Sequence, residues 1–477
     1  MRSYGNVTAE IIDKLREICG AENVWTEGSK IDDCSHDETS VLTEERYSRP
    51  EVVVAPACAE EVSRVFRLAN QYLIPVTPRG GGTGLSGGCI PVKGGIIVCD
   101  ERMNKIIEID RQNLLAVVQP GVVTADINAE AGRYGLWYCG YPMSVNQCHI
   151  GGNIAENAGG GMALKYGVTM RHVMALEVVT ATGKILQLGG KLMKNVTGYN
   201  LKELFIGSEG TLGFVTKIIV KLQPVPKYRK ALLALFKSTD EAISAVPRVI
   251  TEVGVVPSAT EFIDRYCFEA SCSFLKADMP LDGVGATLLI EFDGTDEALT
   301  LAVAEKAGEV CKSGGAVNIF VAQNDEERSR LWSIREHIDE ALRVTDPTHI
   351  DEDTVVPVSE IAAFCKGIYE IGSRHGVKIV NFGHAGDGNL HPTISRKEGL
   401  SDKEWEELAE TVVGDIFRLA KQCGGVLSGE HGVGLTRTRY YKELCDSDEY
   451  NLTLSIKKML DPNGILNPGK IFPAEDI

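Results

Sequence analysis

Pro78-Arg79-Gly80-Gly81-Gly82-Thr83-Gly84-Leu85-Ser86-Gly87-Gly88 follows a short apolar run, Ile74 to Thr77, and precedes Ile90-Pro91-Val92-Lys93-Gly94-Gly95-Ile96-Ile97-Val98. Gly82, Gly84 and Gly87 satisfy the spacing G-x-G-x-x-G, which as a dinucleotide fingerprint has to open a helix. In this chain the glycines lead instead into a proline-bearing loop and another strand, since Pro91 lacks a backbone donor and stops regular pairing. The Rossmann reading fails on that context, and with it a direct NAD site. The chemistry of the loop survives: so many glycines expose backbone N–H groups that can cradle a pyrophosphate as a nest. A plain flexible loop is the bland alternative, weakened by the conformational entropy that ordered glycines cost.

Upstream, Arg49-Pro50-Glu51-Val52-Val53-Val54-Ala55-Pro56 reads as a β-branched strand bounded by prolines. Glu60 to Leu73 reads as an amphipathic helix with Val62, Val65, Phe66, Leu68 and Ala69 inward. Downstream, Tyr141-Pro142-Met143-Ser144 leads to a second glycine block, Gly151-Gly152-Asn153-Ile154-Ala155-Glu156-Asn157-Ala158-Gly159-Gly160-Gly161. A third, Gly207-Ser208-Glu209-Gly210-Thr211-Leu212-Gly213, precedes a strand from Phe214 to Leu222. Three such loops in succession imply a large, flat ligand touched by backbone from several sides.

Toward the C-terminus, His384-Ala385-Gly386-Asp387-Gly388-Asn389-Leu390-His391 and Ser428-Gly429-Glu430-His431-Gly432 gather three histidines and several carboxylates on glycine-rich turns. On a straight strand, residues seven apart face opposite ways, so the turn formers Gly386, Gly388 and Asn389 are what let His384 and His391 converge. Two imidazoles plus one carboxylate make a common set for a divalent transition metal with open positions. His384, His391 and Glu430 are the expected ligands, for zinc, iron or manganese, leaving His431 as a base. Hydrogen-bonded turn histidines, or a phosphate site built on glycine amides, are the competing readings.

A chain of 477 residues exceeds one ordinary core and suggests two or three domains. Its formal charge of -17 argues against nonspecific nucleic-acid binding, which needs a basic footprint. No apolar run approaches the length of a membrane span, and the first twenty residues lack a secretory h-region. The 13 cysteines include no C-x-x-C pair, which fits reduced thiols in a cytoplasm and leaves any iron–sulfur relay to a partner chain. The expected location is cytoplasmic, with peripheral membrane association left open.

The order P-R-G-G-G-T-G-L-S-G-G, P-M-S-V-N-Q-C-H-I-G-G-N-I-A-E-N-A-G-G-G, G-S-E-G-T-L-G, G-H-A-G-D-G-N-L-H and S-G-E-H-G resembles the FAD-dependent D-2-hydroxyacid dehydrogenases. These are vanillyl-alcohol-oxidase-like flavoproteins, and the nearest likeness is to D-lactate dehydrogenases and the flavin subunit of glycolate oxidase. The resemblance runs from about residue 30 to Pro473. It implies an α+β chain: a two-subdomain FAD-binding domain over 1–225, a cap with an antiparallel sheet over 226–425, and a C-terminal helical segment over 426–477 returning to the flavin. The prolines of Leu222-Gln223-Pro224-Val225-Pro226-Lys227 supply a matching seam.

Carried over by motif, Pro78, Arg79, Gly80, Gly81, Gly82, Thr83, Gly84, Ser86 and Gly87 are expected to wrap the pyrophosphate of FAD. Pro142, Gly151, Gly152, Asn153, Asn157, Gly210 and Gly213 are expected along the rest of the cofactor, with Asn467 in the closing tail Asp461 to Lys470. With no histidine in the first loop and Cys89 beyond it, the FAD is expected to be noncovalent. Leu331-Trp332-Ser333-Ile334-Arg335-Glu336 resembles the family's substrate-carboxylate clamp, which assigns that job to Arg335; an ion pair with Glu336, Asp339 or another acid is the alternative. Asn389 and His431 complete the expected substrate contacts.

The implied reaction is oxidation of a 2-hydroxyacid, with D-lactate favoured over glycolate and D-2-hydroxyglutarate. Relatives that take dicarboxylates tend to carry a basic residue near Thr348 to Pro357, where this chain has Asp351-Glu352-Asp353. Those acids read equally as a solvated turn. A flavin-bearing electron-transfer or docking subunit is the non-catalytic alternative, although such a chain would be expected to lose the substrate groups. The expected partners are a small 2-hydroxyacid and a redox protein, either an electron-transferring flavoprotein or an iron–sulfur subunit. A homo-oligomer is also compatible.

Overall fold

Val52, Val53 and Val54 are fully buried and form the strand that the flanking prolines announce. In the computed structural model, which describes residues 3–39 and 49–477, this strand pairs in parallel with Ile96–Cys99, and Ile96–Cys99 pairs in parallel with Val76–Arg79. Val24–Trp25 closes the other edge of this four-stranded sheet. Helix Ala59–Tyr72 makes the crossover between the valine strand and Val76–Arg79, as parallel pairing requires. It buries Val62, Val65, Phe66, Leu68 and Ala69, the inward set read from its spacing.

The strand expected over Ile74 to Thr77 begins two residues later, so it carries Pro78 and Arg79 of the glycine loop. Pro78 is tolerated because this is an edge strand. The loop therefore leaves directly from the C-terminal end of a parallel strand.

A second sheet in the same unit has five strands in the order Ile106–Asp110, Leu115–Val118, Gly213–Lys221, Val173–Thr180 and Ile185–Gly189, all antiparallel. Gly213–Lys221 shows the alternating burial of a half-covered strand. Helix Ile150–Glu156, which contains Gly151, Gly152 and Asn153, packs behind it. The tail returns to the first sheet: Val76 N–H donates to Ile465 O at 2.8 Å, and Asn467 N–H donates to Val76 O at 2.7 Å. This unit comprises the chain up to Gly160, Gly167–Val225 and Glu430–Ile477.

The other unit comprises Gly161–Tyr166 and Pro226–Gly429. Its antiparallel sheet has eight strands, seven of them ordered Asn318–Val321, Tyr228–Phe236, Ala286–Gly294, Ala259–Asp264, Ile379–His384, Asn389–Ser395 and His349–Asp351. Thr354–Val355 also pairs with Asn389–Ser395. The central strands, Tyr228–Phe236, Ala286–Gly294 and Ala259–Asp264, are buried almost throughout, with helices such as Glu297–Ser313 and Asp325–Glu336 packed against the sheet. Among the described residues no helix is long and apolar enough to cross a membrane, and none of the 13 cysteines is in a disulfide.

Candidate active site

In the first unit the three glycine loops face a common cleft of about 340 Å³. Pro78, Arg79, Gly80, Gly81, Gly82, Thr83 and Gly84 line it, with Pro142, Gly151, Gly152, Asn153, Gly210 and Gly213. At two of these glycines a side chain is excluded: a Cβ on Gly81 would lie 2.8 Å from Gln147 O, and one on Gly151 would lie 2.6 Å from Pro120 Cβ. Arg79 fixes one wall, since Nη1 donates to His36 O at 2.7 Å and Nη2 to Asp33 O at 2.9 Å.

The structure does not place Ser86, Gly87, Asn157 or Asn467 among the lining residues; the hydrogen bonds of Ser86, Asn157 and Asn467 hold the walls instead. Ser86 Oγ donates to His431 O at 2.8 Å. Asn467 Nδ2 bridges Gly88 O and Glu209 O at 2.9 and 2.8 Å. Asn157 adopts φ 53° at the end of helix Ile150–Glu156, and its Oδ1 accepts from Met170 N at 2.8 Å.

The cleft also holds acids that sequence reasoning missed. Glu156 and Glu209 line it, and Glu209 accepts from Val433 N–H at 2.7 Å and Gly434 N–H at 2.6 Å. Burial, reinforced by the Glu209 charge, drives Glu156 well above the usual carboxylate range. Burial pushes Glu209 up to about 7 against the pull of those two amides. Gly432 threads beside both, and a Cβ there would lie 2.4 Å from Glu156 Oε2. Glu430 and His431 line the same cleft, and Glu430 needs Gly159 opposite, where a Cβ would approach Oε2 to 2.9 Å. His149 Nδ1 and Asp100 Oδ1, 2.7 Å apart, form a further unforeseen pair.

In the second unit, His384 and His391 are brought to one face by a β-hairpin. His384 is opposite Asn389, and His391, two residues further on, is opposite Phe382, so the two imidazoles are diagonal neighbours. Their ring centroids lie 5.5 Å apart and perpendicular. The turn depends on Gly388 at φ 87°, where a Cβ would sit 2.0 Å from Val356 O. Asn389 is buried, with Nδ2 donating to Asp353 Oδ1 at 2.5 Å and Thr354 O at 3.0 Å.

Behind His384 stands Glu261, which no sequence motif marks. Its Oε1 lies 2.7 Å from His384 Nδ1, and its Oε2 accepts from Arg335 Nε at 2.8 Å. Burial would raise the Glu261 carboxyl, but the His384 and Arg335 charges outweigh it and hold it below the usual range. Arg335 sits on helix Asp325–Glu336 with its guanidinium 4.8 Å from the Phe382 ring centroid. Its ion pair is thus with Glu261, 74 residues away, rather than with Glu336 or Asp339. One buried carboxylate thereby orients both an imidazole, through the nitrogen a metal does not need, and a guanidinium fork.

The acids Asp351 to Asp353 are not a solvated turn. Glu352 and Asp353 are buried, and Asp353 Oδ2 accepts from Ser428 Oγ at 2.7 Å and Gly429 N–H at 2.8 Å. Asp353 pins the segment that leads to Glu430.

This architecture is that of a vanillyl-alcohol-oxidase-type flavoprotein. Two solved structures share the fold: 4-ethylphenol oxidase from Gulosibacter chungangensis (TM-score 0.78, 20% identity, 99% of this chain and 100% of that one) and p-cresol methylhydroxylase (TM-score 0.79, 17% identity, 97% and 96%). Residues 225–471 match the family model of FAD linked oxidases, C-terminal domain, and residues 50–189 match that of an FAD binding domain. The chain belongs to the FAD-linked oxidase family. It is 40% identical to the glycolate oxidase subunit GlcD of Bacillus subtilis over 98% of both chains. It is 35% identical to D-lactate dehydrogenase of Anaerostipes hadrus over 98% of both, and 33% identical to D-2-hydroxyglutarate dehydrogenase of Stutzerimonas stutzeri over 97% of this chain and 99% of that one. The glycine-lined cleft, with backbone groups on several sides and side chains excluded at Gly81 and Gly151, fits FAD.

Proposed function

We propose that this protein is an FAD-dependent dehydrogenase of D-2-hydroxyacids, with D-lactate as substrate and pyruvate as product. The observation that carries the proposal is the pairing of His384 and Arg335 on the single buried carboxylate of Glu261. A flavin cleft alone does not need that arrangement, whereas an anionic hydroxyacid needs both a guanidinium for its carboxylate and help in ionising its hydroxyl. The names of the relatives support the same class of substrate.

Held noncovalently by the glycine loops, FAD would supply the acceptor for the hydride equivalent of the α-carbon. Arg335 binds the substrate carboxylate: Glu261 holds Nε, and the Nη groups present a planar pair of donors. Asn389, locked by Asp353, shapes the substrate pocket. His384 and His391, with Glu430 as the expected third ligand, would hold a divalent ion, zinc, iron or manganese, and that ion would supply Lewis acidity toward the hydroxyl. The donor set fits, because Glu261 on His384 Nδ1 turns Nε2 outward as a ligand nitrogen. His431 accepts the hydroxyl proton on a ring nitrogen.

Electrons then pass to a separate protein, an electron-transferring flavoprotein or an iron–sulfur subunit, since the 13 cysteines contain no C-x-x-C cluster motif. The preference for a monocarboxylate rests on the acids Asp351-Glu352-Asp353, which stand where relatives that take dicarboxylates tend to carry a basic residue. Anaerobic mixing with D-lactate, L-lactate, glycolate and D-2-hydroxyglutarate tests the proposal. Rapid flavin bleaching by D-lactate is expected; bleaching by none of the four, with FAD bound, would overturn it.

A further inference from the structure

A cluster in the second unit lies apart from His384 and His391. His349 and Asp351, two apart on strand His349–Asp351, point to the same face of the sheet and toward Asp339 at the start of helix Ile338–Thr345. His349 pairs with Ser395, four residues beyond His391 on one strand, a separation of about 13 Å at the usual rise per residue.

The atoms divide into two sets. His349 Nδ1 is bonded to Asp346 O at 2.9 Å, Asp339 Oδ2 accepts from Arg343 Nε at 2.9 Å, and Asp351 Oδ1 accepts from Thr393 Oγ1 at 2.7 Å. Each residue is therefore anchored through one atom and offers its other. The offered atoms converge: His349 Nε2 lies 3.3 Å from Asp339 Oδ1 and 3.3 Å from Asp351 Oδ2, and the three ligand atoms lie within 4.8 Å of one another. The imidazole is buried, so its orientation is set by packing as well as by Asp346.

An imidazolium shared between two carboxylates is the competing arrangement. Charge-assisted N–H···O contacts close to about 2.7–2.9 Å, and neither contact here does so. Ligand bonds of about 2.0–2.1 Å at the tetrahedral angle instead put neighbouring donor atoms about 3.3–3.4 Å apart. The side chain of Asp339 is 46% exposed, which leaves a route for an ion and for water as a further ligand.

We propose that Asp339, His349 and Asp351 form a binding site for a divalent transition-metal ion, built from one imidazole nitrogen and two carboxylate oxygens. The ion staples an edge strand of three residues to the helix beside it, a structural role independent of the chemistry assigned to His384 and His391.

Zinc is the probe. The full-length FAD-loaded protein and its Asp351→Asn variant are equilibrated with buffered zinc, freed of unbound metal, and assayed for zinc per chain. The same pair is repeated in the His384→Ala/His391→Ala background. In both backgrounds Asp351→Asn is expected to remove one equivalent, so the difference reads this site whether or not the other histidines hold an ion. Zinc is also expected to raise the Tm of the wild type and to raise it less in Asp339→Asn, a nearly isosteric change at a partly exposed position. An unchanged zinc count in Asp351→Asn, or an equal Tm response in Asp339→Asn, would overturn the proposal.

Discussion

Glu261 shows how much of a site can rest on one side chain. It is 1% exposed on a strand whose residues are all buried, and leaving Arg335 without it would strand a buried charge. In Ala259-Thr260-Glu261-Phe262-Ile263-Asp264 the carboxylate of Glu261 carries no local mark, because Asp264 three residues on is equally buried and caps the next helix. The partners of Glu261 lie 74 and 123 residues away, beyond the reach of any local pattern. His384, His391, Glu430 and His431 are legible because glycine-rich turns advertise them. Glu156 lies inside the second glycine block and carries no signal there, because its meaning comes from Glu209 beside it. Both folded carboxyls hold their protons more tightly than the unfolded chain, so their contribution to stability is full below about 4.5, the unfolded value for Glu; the part from Glu209 is lost as pH rises through about 7, and that from Glu156 as pH rises through its own raised value. Glu156→Gln keeps the shape and removes the repulsion. We expect thermal scans to show a higher Tm for the variant than for the wild type at pH 8 and little difference at pH 4.5. A difference that does not change with pH would contradict the assignment.

Elements with strong periodicity are legible in the sequence. Helix Ala59–Tyr72 and strands Val52–Val54 and Gly213–Lys221 fall within one to three residues of their expected bounds, and the strand expected after the proline-bearing loop is Ile96–Cys99. The strand after Ile74 is shifted because pairing with Ile96–Cys99, not local hydrophobicity, sets where it starts. At His384 the glycines suggest a bend that gathers histidines, whereas the device is register: the pairing of His384 with Asn389 puts His391 on the same face. That register depends on Gly388, whose φ of 87° and contact with Val356 O exclude a side chain. Gly388→Ala is expected to cost about 1–3 kcal/mol or more, from backbone strain alone. It should also weaken metal binding at His384 and His391. Denaturant unfolding with a metal count checks both, and an unperturbed variant would show that the turn tolerates other conformations.

For the whole molecule, the ordered glycine blocks make the flavoprotein class legible from sequence, and the family models confirm it. Nothing in the sequence assigns the segment Gly161–Tyr166 to the second unit. It is held there by Tyr166 Oη donating to Asp293 at 2.5 Å and by an ion pair between Lys165 and Asp293, contacts that no sequence spacing predicts. The central claim is that histidine ligation, and not the flavin cleft alone, makes this chain a hydroxyacid dehydrogenase. Its most direct test is stopped-flow flavin bleaching by D-lactate, without oxygen, in the wild type and in His391→Ala. Both proteins are expected to purify yellow with equal FAD. The wild type should bleach rapidly, and the variant should lose at least about a hundredfold in rate, the scale expected for a catalytic metal's contribution of several kcal/mol. Bleaching of His391→Ala at the wild-type rate would contradict the claim.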